Sequence, residues 1–503
     1  EARCRDTNGN EVCCGNAEIC ISGQCFMPKD ECKDFVDCGL NEYCELSIGF
    51  CLPQPTGDAC EDVPTGGAIE PTLVWEWTGE NQPNSSYNQV MMTPVVANLN
   101  DDNKDSKIDE NDIPDVIFTS FDATVGPCNA YECDGILRAV SGKNGKPLFS
   151  QTNAAYRVMP GGQLAVGDLD DDGLVEIVAC GSDSSRWGPI VVFENDGTFK
   201  WKSTDANVRC GQAAPAIADL DGDGKPEIFV RYTVLNGQTG ALKWHKACKN
   251  VGAFPNEGAG EDGGHVPCDY TTAADLDGDG KLEVVGGNQA FHHDGTSYWD
   301  NSASYRDGYP AVADVDMDGK PEVVVVSSSW DDVHKGDHHI RVRNHDGTKL
   351  WGPIDINQGP IPQQDQNDGT LAGGGPPTIA NFDSDPEPEI ALAGAFGYVV
   401  FEADGTLKWF ARTRDDTSRS TGSSVFDFDG DGIAEAVYND EHWLRVYNGA
   451  DGEVRYCQCN TSATLWEYPV IVDVNNDNHA EIIVASNDFA GVIGDCSMAT
   501  ALD

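Results

Sequence analysis

The residues best spaced to do chemistry are the carboxylates of Asp219-Leu220-Asp221-Gly222-Asp223-Gly224-Lys225-Pro226-Glu227. Side-chain oxygens stand at positions 1, 3 and 5, the Lys225 carbonyl at 7 and Glu227 at 9. Calcium takes six to eight oxygens at about 2.3–2.6 Å, which a short loop curling round one point can supply. Gly224, at position 6, permits the sharp bend. Pro215-Ala216-Ile217-Ala218 before the loop and Ile228-Phe229-Val230 after it read as strands. This is not an EF-hand, because the last acid falls at 9 rather than 12 and helices do not flank it. A single copy could equally be an ordinary acidic turn; recurrence decides between the two.

Seven further copies can be read. Four are regular: Asp168, Asp170, Asp172, Leu174 and Glu176; Asp275, Asp277, Asp279, Lys281 and Glu283; Asp314, Asp316, Asp318, Lys320 and Glu322; and Asp427, Asp429, Asp431, Ile433 and Glu435. The set Asn381, Asp383, Asp385, Glu387 and Glu389 has Pro386 at position 6, and Asp473, Asn475, Asp477, His479 and Glu481 has Asn478 there. The most divergent copy opens with Asn98, Asn100 and Asp102 and runs through Asp105, Asp109 and Asp112 to Asp115. That loop is longer and could hold one ion differently, or two. The expected cofactor is therefore calcium, at five regular sites and up to about eight.

These loops explain much of the charge. With 32 basic and 84 acidic residues the chain carries −52, which excludes nucleic-acid binding through phosphates. It also disfavours anionic membranes and polymers unless calcium bridges them. Nineteen cysteines point to an oxidising, extracellular setting, and no apolar run approaches a membrane span. The chain begins at Glu1 without Met and is read as mature, its signal peptide removed. Secretion or surface display is expected.

Residues 1–60 hold ten cysteines and few large apolar residues, so bridges are expected to replace a core. Zinc is the competing reading, weakened by the absence of paired C-x-x-C spacings. A linker over 61–71 leads to Thr72–Trp77, a lone strand. Beyond it, each acidic loop with its strands is followed by a hairpin whose turn is Asn144-Gly145, Asp196-Gly197, Thr239-Gly240, Asp294-Gly295, Asp346-Gly347, Asp404-Gly405 or Asp451-Gly452. Four antiparallel strands per unit is one propeller blade. The loop starts, at 98, 168, 219, 275, 314, 381, 427 and 473, predict eight blades over 72–503. Thr72–Trp77 would complete the last one; seven blades is the fallback if the divergent first loop belongs to an insertion. Trp201, Trp244, Trp299, Trp351 and Trp409 recur at one blade position. Packing between repeats explains them better than a ligand cage.

On these motifs the chain resembles the FG-GAP/VCBS repeat family, which includes integrin α-subunit propellers and secreted bacterial proteins. The resemblance implies an all-β propeller whose calcium loops pin the turn between strands one and two, and recognition of a glycan or protein outside the cell. The Asp-Leu-Asp-Gly-Asp-Gly-Lys-x-Glu loops are also similar to those of eight-bladed rhamnogalacturonan lyases, without a catalytic stretch to carry over.

Catalytic signatures are sparse: there is no nucleophile elbow, His-Glu-x-x-His or phosphate loop. Arg209, His265, Tyr270, Tyr305 and Arg306 precede inner strands and are candidates for a lyase by position. His292-His293, His334 and His338-His339 read as solvated loop residues or a second metal site. Gly373-Gly374-Gly375 suggests a tight approach to the ring axis. Cys128–Cys133 and Cys248–Cys268 could staple insertions, and the nine propeller cysteines leave one thiol over. The leading expectation is a non-enzymatic, calcium-stabilised binding or adhesion protein using insertions such as 122–134, 247–270 and 353–375. A polysaccharide lyase or hydrolase, and a structural subunit of an extracellular assembly, are the alternatives.

Overall fold

The structure, a computed structural model, describes residues 69, 71–124, 134–182, 188–249, 270–328, 338–358, 373–415, 417–477 and 479–487, with the backbone of six short strands nearer the N-terminus. The chain divides into two compact units, Glu1–Val63 and Pro64–Asp503. In the first unit the six strands pair as three antiparallel hairpins, which set Cys20 opposite Cys25 and Cys44 opposite Cys51.

The second unit is built of seven four-stranded antiparallel sheets, each a meander in which consecutive strands pair. Blade one comprises Val95–Ala97, Asp115–Phe121, Gly135–Ser141 and Pro147–Ser150. Blades two to six follow, and blade seven comprises Ser423–Phe426, Glu435–Asn439, Trp443–Tyr447 and Val454–Cys459. The last acidic loop joins a two-stranded pair, Val470–Val472 and Glu481–Ile483. The expected eight full blades are thus corrected to a seven-bladed β-propeller. The first loop is no insertion, since it joins the first two strands of blade one. The short unit is the last. Thr72–Trp77 forms no strand, although its Trp75 and Trp77 pack with Val472 and Ile483 against the core of blade one. Among the described residues no helix is long and apolar enough to cross a membrane.

Burial follows the blade pattern. Second and third strands, such as Glu227–Val230 and Thr233–Asn236, are covered on both faces and buried nearly throughout. Ile228, Val230 and Leu235 of blade three share one core with Val178, Ile190 and Val192 of blade two. First strands stay half-buried, as in Ala216–Ala218.

The recurring tryptophans are inter-blade latches. Each lies on the fourth strand and presses its ring onto the turn glycine of the next blade: Trp201 on Gly240, Trp244 on Gly295, Trp299 on Gly347, Trp351 on Gly405 and Trp409 on Gly452. Gly240 has φ +68°, and a Cβ there would sit 2.5 Å from the Trp201 ring, so both the turn and the contact require glycine. Four indoles also donate to a carbonyl of the next hairpin, as Trp409 does to Gly449 at 2.6 Å. Trp75 takes the same place over Gly145 and donates to the Gly142 carbonyl, so it serves as a latch without strand pairing.

A disulfide joins Cys180, at the end of blade two's second strand, to Cys210, on the approach to blade three. Cys248 and Cys459 are also disulfide-bonded, and Cys457, exposed on the outer strand of blade seven, is a free thiol. Gly373–Gly375 does make a close approach: Cβ atoms there would meet Arg419, Val326 and Thr421 at 2.3–2.7 Å.

Candidate metal centres

Every acidic loop sits between the first and second strands of its unit, and its carboxylates organise the loop's own backbone. In the five regular loops the position-1 aspartate accepts from the position-6 N–H at 2.7–2.9 Å. Position 5 accepts from the N–H of position 7 in all seven short loops, at 2.8–3.1 Å. Left-handed backbone at positions 4 and 6 makes the curl: φ is 72° and 79° at Gly222 and Gly224, and 57° and 86° at Met317 and Gly319. The loop at Asn381 departs because Pro386 has no N–H for position 1 to accept. Asn381 turns its amide to donate to the Asp385 carbonyl instead.

The position-9 acid proves to be a clamp. Glu176, Glu227, Glu283, Glu322, Glu389, Glu435 and Asp115 are buried, while Glu481 is partly so. In all eight loops one of its oxygens accepts the N–H of the residue after position 1, at 2.6–3.1 Å. Burial pushes the carboxyls up, to about 7 at Asp115, Glu322, Glu389 and Glu435.

A fixed cation meets the other oxygen in several loops, a feature the motif alone did not reveal. Lys200 reaches Asp170 (2.8 Å) and Glu176 (2.9 Å), and Lys243 reaches Asp221 (2.8 Å) and Glu227 (2.6 Å). Lys408 pairs with Asp383 and Glu402 and lies 3.7 Å from Glu389, and Arg455 lies 3.0 Å from Asp429. The signal was present as Lys immediately before the latch Trp in Lys200-Trp201, Lys243-Trp244 and Lys408-Trp409. In blade four His292 takes this role, 2.9 Å from Glu283, so one of the candidate histidines joins an acidic loop. Replacing Lys243 by Met is expected to cost about 1–3 kcal/mol in chelator, because a buried carboxylate loses its partner. Melting temperatures in chelator and in calcium check this, with the smaller drop expected in calcium.

The donor sets suit a hard cation. Asp168, Asp170 and Glu176; Asp219, Asp221 and Glu227; Asp275, Asp277 and Asp279; and Asp383, Asp385, Glu389 and Glu402 each bring oxygens within 4.8 Å of one another. The position-3 Oδ1 atoms of Asp170, Asp221, Asp429, Asn475 and Asn100 are buried without a hydrogen-bond donor. A cation is the partner such lone pairs lack, so the residues present fit calcium.

The first loop requires a correction of register. Its left-handed pair falls at Lys104 (φ 66°) and Ser106 (φ 74°). Asp101, rather than Asn98, accepts the N–H groups of Asp105 (3.0 Å) and Ser106 (2.9 Å). Asn98 instead donates to the Asp109 carbonyl, and Asp102 is exposed.

Three of the residues offered as catalytic candidates, Tyr270, Tyr305 and Arg306, have contacts among the described residues. Tyr270 stacks edge-on against Tyr309 and Trp466, with ring centres 5.3 and 5.0 Å apart. Tyr305 lies under Arg343, 4.2 Å from its ring centre, and the Arg306 carbonyl accepts from Arg341. Arg209 is exposed, and His265 and His334 lie outside the described residues, as do most of the insertions at 122–134, 247–270 and 353–375. His338 pairs with Asp355 at 3.4 Å.

A separate acidic cluster, on the face opposite the loops, was not singled out by sequence. Asp415, Glu441 and Glu467 are buried together around the last two units. Thr464 and Ser418 donate to Asp415, the Thr417 N–H to Glu441 and the Leu465 N–H to Glu467. Burial, and then the charge of Asp415, pushes Glu441 up to about 7; burial does the same at Glu467. The folded chain therefore holds these protons more tightly than the unfolded chain. Their stabilisation is present below the ordinary glutamate range and is lost as pH rises through about 7, on the order of 3 kcal/mol each at most. Glu467→Gln should melt several degrees above wild type at pH 8 and level with it at pH 5, both in saturating calcium.

The fold and loops define a β-propeller with acidic turns between the first and second strands of its units. Residues 168–230 match the FG-GAP-like repeat model. No curated protein matches by sequence. Among solved structures, the Vibrio cholerae biofilm matrix protein Bap1 is similar at 22% identity and TM-score 0.68, over 84% of this chain and 89% of that one. Rhamnogalacturonan lyase YesW is similar at 16% identity and TM-score 0.52 (86% and 75% covered), and the exotype lyase YesX at 17% and 0.53 (86% and 74%). At these identities the likeness is one of fold.

Proposed function

We propose that this chain is a calcium-stabilised, extracellular binding or adhesion protein that recognises a glycan or protein partner through one face of its propeller. The observation that carries the reading is the acidic loop itself, repeated in every unit with the same position-9 clamp, five of the copies holding a buried position-3 oxygen that lacks a donor. Such loops make a stiff ring whose remaining surface is available for contact. The likeness to a matrix protein supports an extracellular setting. A polysaccharide lyase is the competing reading, favoured by the fold shared with YesW and YesX. Assembly into a larger structure is a third, favoured by the exposed free thiol of Cys457.

Retention on a panel of immobilised glycans and polysaccharides, in calcium and in chelator, tests the proposal. Calcium-dependent retention on one sugar class without new reducing or unsaturated ends supports glycan binding. New ends on any polymer would replace it with the lyase reading.

A further inference from the structure

The residues before blade one meet the last unit through a few polar side chains. Thr93 donates its hydroxyl to the Trp466 carbonyl at 3.2 Å and accepts the Tyr468 N–H at 3.1 Å. Asn487 donates to the Val90 carbonyl at 3.0 Å and to the Ser462 hydroxyl at 2.9 Å, and its side-chain oxygen accepts the Ala463 N–H at 2.9 Å. Met91 and Phe121 share a small apolar cluster with Ala463, Leu465 and Trp466. These contacts close the ring.

The segment that makes this seam also carries the buried acid cluster. The Ser462 hydroxyl, which receives Asn487, donates in turn to Glu467, and Thr464 donates to Asp415. The Glu441 carbonyl accepts the Ser462 N–H at 3.1 Å, so the third acid is tied to the seam by its backbone. Asp415, Glu441 and Glu467 are 0%, 3% and 3% exposed. Their oxygens already have donors. Asp415 accepts the Arg419 and Thr421 N–H groups at 2.9 and 3.2 Å, Glu467 the Leu465 N–H at 2.7 Å and Glu441 the Thr417 N–H at 2.6 Å. Oxygens so occupied suit a bound proton better than a metal ion.

The neighbouring groups give little relief once the acids ionise. Arg445 is engaged by Asp440 at 2.6 Å. Arg414, half exposed, stands 3.5 Å from Glu441, and His442 stands 3.9 Å from the same oxygen. Tyr438 and Tyr447, which feel Asp415 and Asp440, and Tyr468, beside Glu467, stay neutral because burial raises their hydroxyls. Burial, with Asp415 adding to it, holds the Glu441 and Glu467 carboxyls up at about 7. Above that, three carboxylates crowd one buried site.

We propose that this seam is a pH-sensitive ring closure: protonated Glu441 and Glu467 hold the last unit to Val90–Thr93, and their ionisation in alkaline solution loosens that contact while the other blades stay packed. Glu467 acts through Ser462 and Asn487, and Glu441 through the segment it shares with them. The device is separate from the acidic loops, none of whose residues it uses.

The test is hydrogen exchange of the full-length chain, read by mass spectrometry at pH 5 and pH 8 in saturating calcium and corrected for the intrinsic rate. Protection over 461–468 and 485–487 is expected to fall roughly tenfold or more from pH 5 to pH 8, relative to Thr233–Asn236 of blade three. Glu467→Gln, which cannot ionise, should exchange several-fold more slowly than wild type at pH 8 and level with it at pH 5. A seam in wild type that follows blade three at both pH values would overturn the proposal, and so would a Gln variant with the full wild-type response. If Glu467→Gln alters the near-UV circular dichroism spectrum at pH 5, Glu441→Gln is measured in its place with the same outcomes, and the wild-type comparison stands without either.

Discussion

Removing calcium is expected to lower the melting temperature of this chain by roughly 10 °C or more. A ligand that binds only the folded state stabilises it by about 2.7 kcal/mol per site at a hundredfold excess over its Kd. Five regular loops loaded to that extent would contribute about 13 kcal/mol, comparable to the typical stability of a domain, about 5–15 kcal/mol. The electrostatics act in the same direction. Without an ion, Asp314, Asp316 and Asp318 gather around buried Glu322, which has no lysine or arginine partner among the described residues. Differential scanning calorimetry in calcium and in chelator measures the effect. A curve unmoved by chelator would mean that the clamps, lysines and His292 already hold the loops and that the ions contribute nothing.

The second large effect concerns the latches. Trp409→Ala should cost about 3–5 kcal/mol, the usual range for truncating a buried aromatic. Trp409 is 6% exposed, stacks with Tyr398, lies tilted against Tyr447, and donates to Gly449 in the next hairpin. Gly452→Ala probes the same contact from the other side. Its φ of +76° and a Cβ 2.5 Å from the Trp409 ring give two separate reasons for strain. Trp201→Ala should cost less, because the Trp201 indole N–H has no acceptor. Denaturant unfolding of the three variants checks the order, and equal losses for Trp201 and Trp409 would contradict it.

Where the signal was local, the sequence was a good guide. Aspartates at alternate positions with glycines at 4 and 6 specify the curl by themselves, and Asp-Gly between β-rich runs specifies the hairpin, so loops and blades were legible. Errors arose where a distant partner decides. Thr72–Trp77 has strand composition, yet its described contacts run through the side chains of Trp75, on the blade-one turn, and Trp77, on Phe118. The Cys180–Cys210 bridge spans 30 residues and could not be chosen among nine cysteines. In the first loop Asn98 follows directly on an apolar run, which drew the register there. The left-handed residues, Lys104 and Ser106, are not glycines and gave no cue. The lysines that meet the clamp acids lie a full hairpin away from their loops, and only the folded blade joins them.

The most direct test of this account is the calcium content of the full-length chain by elemental analysis, after exchange into calcium-free buffer. Five or more equivalents are expected to be retained per chain. Less than one equivalent, with the chain still folded, would contradict it.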